Sequence, residues 1–188
     1  MNTNQYEKSI ISETPLEVLS SFNGKAEMQT PFFAVSITKL LVLSFCTFGL
    51  YQIVWLYRNW QLVKAREKIN IVPFARALFA FLFCYQMFKK IRDFKTPNTS
   101  QGKLHAGSLT IAWIVVASIS RLGHICLLIS LMAPIFFVPV QIRVNQINHA
   151  VTPDHDKNDR FSVLNWLTIV IGGVLFMAVI IGSLVLMK

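Results

Sequence analysis

From Phe161 to Met187 the chain runs for 27 residues without an Asp, Glu, Lys or Arg, and no other feature restricts its fold as much. A helix rises about 1.5 Å per residue and a hydrocarbon layer is about 30 Å thick, so roughly 20 apolar residues cross it. A soluble domain of 188 residues has too little mass to cover such a helix on every side. Leu40 to Tyr57, Leu104 to Ser120 and Leu122 to Ile142 are likewise free of charge. With 54% hydrophobic and 14% charged residues, the composition suits lipid better than water. The runs are continuous, not alternating, which selects helices over a barrel, the other structure whose backbone pairs internally in lipid.

The expected fold is therefore all-α, a polytopic helical membrane domain over 31–188 with about four transmembrane helices at 36–57, 106–121, 124–142 and 163–186. Residues 1–30 read as a polar tail, because Glu7, Glu13, Glu17 and Glu27 face only Lys8 and Lys25 and no basic start leads into an apolar core as in a signal peptide. Ten Lys and Arg residues lie between Arg58 and Lys103, against Glu67 and Asp93 alone, so that stretch belongs on the cytoplasmic side, as does 143–160 with Arg143, Lys157 and Arg160. Within it, 72–88 is apolar but holds Arg76 and is only 17 residues long, and crossing there would part the basic clusters, so 73–94 is not expected to span. It is expected to be one interfacial amphipathic helix, opened by Pro73. Gly49 is the weak point of the first span: a break there would make 36–57 a hairpin and return the amino terminus to the cytoplasm.

Between Thr30 and Pro153 the only acids are Glu67 and Asp93, so no intramembrane carboxylate is available to couple protons or hold a metal. His124 and Cys126 are two residues apart and point in different directions on a helix. Cys46, Cys84 and Cys126 fall in three separate segments without disulfide or zinc spacing. Asp154, Asp156 and Asn158 match the start of a calcium loop, but Asp159 and Asn165 stand where it needs Gly and Glu, which leaves a solvated turn. No catalytic, cofactor-binding or metal residue is expected, and no enzyme.

The remaining candidates are surfaces. Arg58, Lys64, Arg66, Lys68, Arg76, Lys89, Lys90 and Arg92 are expected to contact anionic lipid headgroups or a partner, each worth about 1 kcal/mol near the membrane surface. The net charge of +9 does not point to nucleic acid, since Tyr51, Trp55, Tyr57, Trp60 and Trp166 read as headgroup-level anchors and not as an aqueous stacking platform. Gly172, Gly173, Ala178 and Gly182 offer a small-residue face for helix packing, within the monomer, in a homo-oligomer or with another membrane protein. Asn145, Asn148 and Asn165 are placed to bond across helices.

Val35-Ser36, Lys39-Leu40, Thr47-Phe48-Gly49-Leu50-Tyr51 and Trp55-Leu56-Tyr57-Arg58-Asn59-Trp60 resemble a group of small bacterial multi-pass membrane proteins of unknown function, marked by Thr-Phe-Gly-[Ile/Leu]-Tyr followed by Trp-x-Tyr-[Lys/Arg]. Pro73-Phe74, Arg76-Ala77, Asn145 and Asn148 continue the pattern. The resemblance implies a bacterial inner membrane and no particular activity. Together these readings lead to a non-catalytic accessory or interaction protein. The alternative is an oligomeric transport or channel component.

Overall fold

Residues 30–96, 104–122, 126 and 129–185 are described by the computed structural model of the chain. Among them every regular element is helical: α1 (Ile37–Cys46), α2 (Leu50–Glu67), α3 (Pro73–Leu78), α4 (Ala80–Asp93), α5 (Ala106–Ser118), α6 (Val138–Val151) and α7 (Val163–Val185), with 3-10 turns at Ile119–Leu122 and Ala133–Phe137. The all-α expectation holds. Apart from Thr30, the polar tail lies outside the described residues, as does His124.

The single helix expected over 36–57 is two. Phe48 and Gly49 both adopt left-handed backbone, with φ of 51° and 89°. The Gly49 N–H donates to Ser44 O (2.8 Å) and the Phe48 N–H to Phe45 O (3.2 Å), the paired bonds of a Schellman stop. Thr47 fastens both sides of the turn, for its hydroxyl donates to Leu43 O (2.7 Å) and accepts from the Tyr51 N–H (2.9 Å). Helix α2 then runs back along α1 and the extended segment before it, so that Asn59 meets Phe33 and Arg66 meets Pro31. Turn chemistry at Thr47–Gly49 thus folds an apolar run long enough to cross a bilayer into a hairpin.

A second hairpin packs against the first. Helix α5 starts beside α4, with Gly107 facing Tyr85, and carries Trp113 to the first tip, where its indole N–H donates to Gln52 Oε1 (2.8 Å). The chain returns through the Ala133–Phe137 turn, and by Asn148 of α6 it is again beside Phe32. No continuous helix occupies the described part of 124–142. Helix α6 begins only at Val138, with Pro139 in the first turn, where a missing N–H costs nothing. The helix expected over 73–94 also divides, because Phe79 leaves helical geometry (ψ 46°) between α3 and α4.

The core between the hairpins is aromatic. Phe137 stands edge-on to Trp55, Phe88 and Trp113, with ring centroids 5.3, 5.1 and 5.6 Å away, contacts worth about 0.5–1.5 kcal/mol each beyond their buried area. Trp55 and Trp60 are fully buried, which corrects their reading as headgroup anchors, whereas Trp166 is 58% exposed.

Helix α7 differs from the rest. Among the described residues it alone, over Val163–Gly182, is long and apolar enough to cross a membrane. Helices α1 and α5 have 10 and 13 residues, about 15 and 20 Å of rise, and α2 carries Arg58, Lys64 and Arg66. Lys39, nearly buried, pins the start of α7: its Nζ donates to Asn158 Oδ1 and Arg160 O (both 2.7 Å) and, with the Asn165 amide turned to face donors, to its oxygen (3.1 Å). Farther along, Gly172 lies so close to the Cys46 backbone that a Cβ would overlap it. Phe176 reaches Phe48 at the first tip (6.4 Å between centroids). Nine residues of α7 follow Phe176, about 13 Å of helix beyond the hairpin tips.

Candidate functional site

Two features distinguish the end of the bundle opposite the tips: a buried extended segment and a concentration of charge. Residues 31–35 enter the protein without helical hydrogen bonds, so their backbone groups need other partners. Side-chain amides supply them. Asn148 bonds Phe32 twice, donating to its carbonyl (2.8 Å) and accepting from its N–H (3.1 Å). Asn59 accepts from the Phe33 N–H (3.1 Å), and Asn158 donates to Ala34 O (3.0 Å). Gln141 and Asn145 both donate to Val35 O (3.0 and 3.2 Å), while Gln141 Oε1 accepts the Trp55 indole N–H (2.6 Å). The sequence singled out Asn145 and Asn148. It gave no sign of the strap they hold, although Gln141, Asn145 and Asn148 sit at the i, i+4, i+7 spacing of one helix face.

The eight cations expected to meet lipid separate into two groups. Arg66 is wedged between Phe32 and Phe94 (4.8 and 5.0 Å from Cζ to the ring centroids), donates to Pro31 O and pairs with Glu67 (3.5 Å). Burial lowers its pKa, while the neighbouring Glu67 raises it. Glu67 also receives Lys90 (2.6 Å), and Arg92 pairs with Asp93 (2.7 Å). Arg76 stacks on Trp60 and Phe83 (4.5 and 5.2 Å) and donates to Gln86 Oε1 (3.3 Å). Arg58, Lys64, Lys68 and Lys89 are exposed and make no ion pair among the described residues, and Lys95 joins them.

Open grooves divide this charge. One, of about 730 Å³, lies between the end of α2 and the start of α3, with Lys64 and Lys68 facing Tyr57, Val72, Pro73 and Phe74. A second, of about 600 Å³, mixes Arg66, Lys89 and Lys95 with Glu67 and Asp93. Arg58 lines a third, of about 570 Å³, with Phe33, His155 and Asp156. At the opposite end a cavity of about 170 Å³ is lined by Phe48, Gly49, Gln52, Ser120, Ser130 and Pro134. Gln52 is 4% exposed and its Nε2 has no hydrogen-bond partner among the described residues.

The polar 153–159 turn is engaged in structure: the Asn158 N–H donates to Asp156 Oδ1 (2.8 Å), and Asn158 ties the turn to the strap and to Lys39. No group of three or more His, Cys, Asp or Glu side chains able to hold a metal occurs among the described residues. Of the small-residue face, Gly172 meets α1, whereas Gly173 and Gly182 face open space and Ala178 is exposed. Comparison with protein-family models finds no match. Comparisons with curated proteins and with solved structures find none either.

Proposed function

We propose that the chain is an integral membrane protein whose two hairpins sit in one leaflet while α7 crosses both, with a non-catalytic accessory or interaction role at the headgroups. The observation that carries this reading is the mismatch in height. Helix α1 rises about 15 Å, half of a hydrocarbon layer of about 30 Å, whereas α7, with 23 residues, rises about 35 Å and overshoots the tips. Its flanks support the same placement: Phe48, Leu50, Val54, Ile111, Val115 and Ile135 are exposed around the hairpins, an apolar surface that water would not tolerate over such an extent. Irregular backbone at membrane depth is permitted where protein covers it and satisfies its polar groups, as the bonds at Thr47 and Gly49 do.

In this arrangement the basic end faces the cytoplasmic headgroups, with Arg58, Lys64, Lys68 and Lys89 free to meet anionic lipid or a partner. Membership of the small bacterial inner-membrane group is part of the same proposal. It draws support from the Thr-Phe-Gly-Leu-Tyr run forming the first tip and from Asn59, Asn145 and Asn148 holding the strap. Alkaline carbonate extraction of membranes from expressing cells tests the reading: the chain stays in the pellet, and release into the supernatant would refute it. The rival, an oligomeric transport or channel component, draws on the tip cavity and on the open Gly173, Ala178 and Gly182 face. Ion efflux from reconstituted vesicles separates the two, since the accessory reading requires rates equal to those of empty vesicles.

A further inference from the structure

We infer that the groove between α2 and α3 binds one anionic phospholipid, its phosphate held by Lys64 and Lys68 and its acyl chains laid over Val72 and Phe74. Lys64 lies in the last turn of α2 and Lys68 is the residue that caps it, in left-handed backbone (φ 50°), and both line the groove, where their like charges repel. The acid nearest in sequence, Glu67, is taken by Lys90 and Arg66. The helix dipole favours cations at this terminus, but it gives no reason for an apolar wall facing them. That wall is present: Tyr57, Pro73, Val72 and Phe74 line the same groove of about 730 Å³. Val72 and Phe74 are each 64% exposed, so much of their apolar surface has no cover among the described residues.

The wall also continues outward. Leu78, Phe79, Phe81 and Leu82 are exposed along α3 and α4, so a lipid whose headgroup sits at the lysines has an apolar track for its chains leading away from the charged end. A ligand with a phosphate at one end and hydrocarbon at the other meets both requirements, whereas a free phosphate leaves the wall uncovered and an apolar ligand leaves the lysines unpaired. The second groove lacks this complementarity, because Glu67 and Asp93 oppose its cations.

The inference rests on the membrane reading and adds a discrete, stoichiometric site to it. Native mass spectrometry of the full chain in detergent, with phosphatidylglycerol or phosphatidylcholine added, tests it. The unaltered chain retains one phosphatidylglycerol in preference to phosphatidylcholine. Lys64→Gln with Lys68→Gln weakens retention about thirtyfold, two interfacial charges at about 1 kcal/mol each. Lys95→Gln with Lys157→Gln, which removes the same net charge from exposed positions outside the groove, changes it less than about threefold. Phe74→Gln, at a position 64% exposed, weakens it about fivefold through lost apolar contact. Equal weakening by the two lysine pairs would overturn the groove and leave diffuse attraction, with the membrane reading intact. No retention by the unaltered chain would also overturn it, while the chain's behaviour under carbonate extraction judges the membrane reading separately.

Discussion

Helices α1 and α7 lie side by side, touching where Gly172 meets Cys46, yet one stops after 10 residues and the other continues for 23. Both come from apolar runs of the sequence, so hydrophobicity does not explain the difference. Helix α1 is bounded by polar and conformational devices: a strap held by Asn59, Gln141, Asn145, Asn148 and Asn158 at its start, and Thr47, Phe48 and Gly49 at its end. Helix α7 has Lys39 and its three oxygens at the start and, from Val163 to Val185, no comparable interruption. Apolar length decides whether a segment can enter lipid. Punctuation and polar partners decide whether it turns back.

The strap offers the strongest way to break this contrast. Gln141→Leu leaves the Trp55 indole N–H without its acceptor and removes a donor from Val35 O inside the core, and should cost about 3–5 kcal/mol in SDS unfolding of the micellar protein. A loss under 1 kcal/mol would mean that the strap is not what fixes the hairpin. Next is the joint between the two helices: Lys39→Met removes a charged donor with three oxygen partners and should cost about 2–3 kcal/mol. Gly172→Ala should follow at about 1–3 kcal/mol as its Cβ forces α7 off Cys46, with Gly173→Ala, which faces open space, as the silent control. Smallest is Gly49→Ala, about 1–2 kcal/mol for a Cβ at φ 89°. Equal effects at 172 and 173 would show that α7 does not pack on α1 as described.

Much of α7 was legible because its signal is additive: 27 residues without charge need no tertiary information to be recognised. Gly49 was legible as a possible break, but whether it breaks the helix depends on Thr47 bonding both flanks and on Phe48 accepting a left-handed conformation, neither of which composition reveals. Phe79 carries no Pro or Gly signal at all, yet it divides α3 from α4, with Arg76 three residues before it stacked on Trp60 and Phe83. Trp55 and Trp60 were misread for a related reason. Aromatics next to Arg58 look like headgroup anchors until the fold brings Gln141 and Phe137 to Trp55 and Arg76 to Trp60. The basic candidates were legible as a group, but only the folded structure separates Arg66, Arg76, Lys90 and Arg92, which are engaged within the protein, from Lys64 and Lys68, which form no ion pair among the described residues.

The central claim is that 36–67 enters and leaves on one face while α7 crosses. Labelling intact cells with a membrane-impermeant thiol reagent, using single cysteines at Thr30, Lys68, Lys157 and Lys188 in a cysteine-free background, addresses it directly. The account predicts that Thr30, Lys68 and Lys157 are shielded together and that Lys188 reacts. Reaction at Thr30 with Lys68 shielded would contradict it, because the first apolar segment would then cross the membrane.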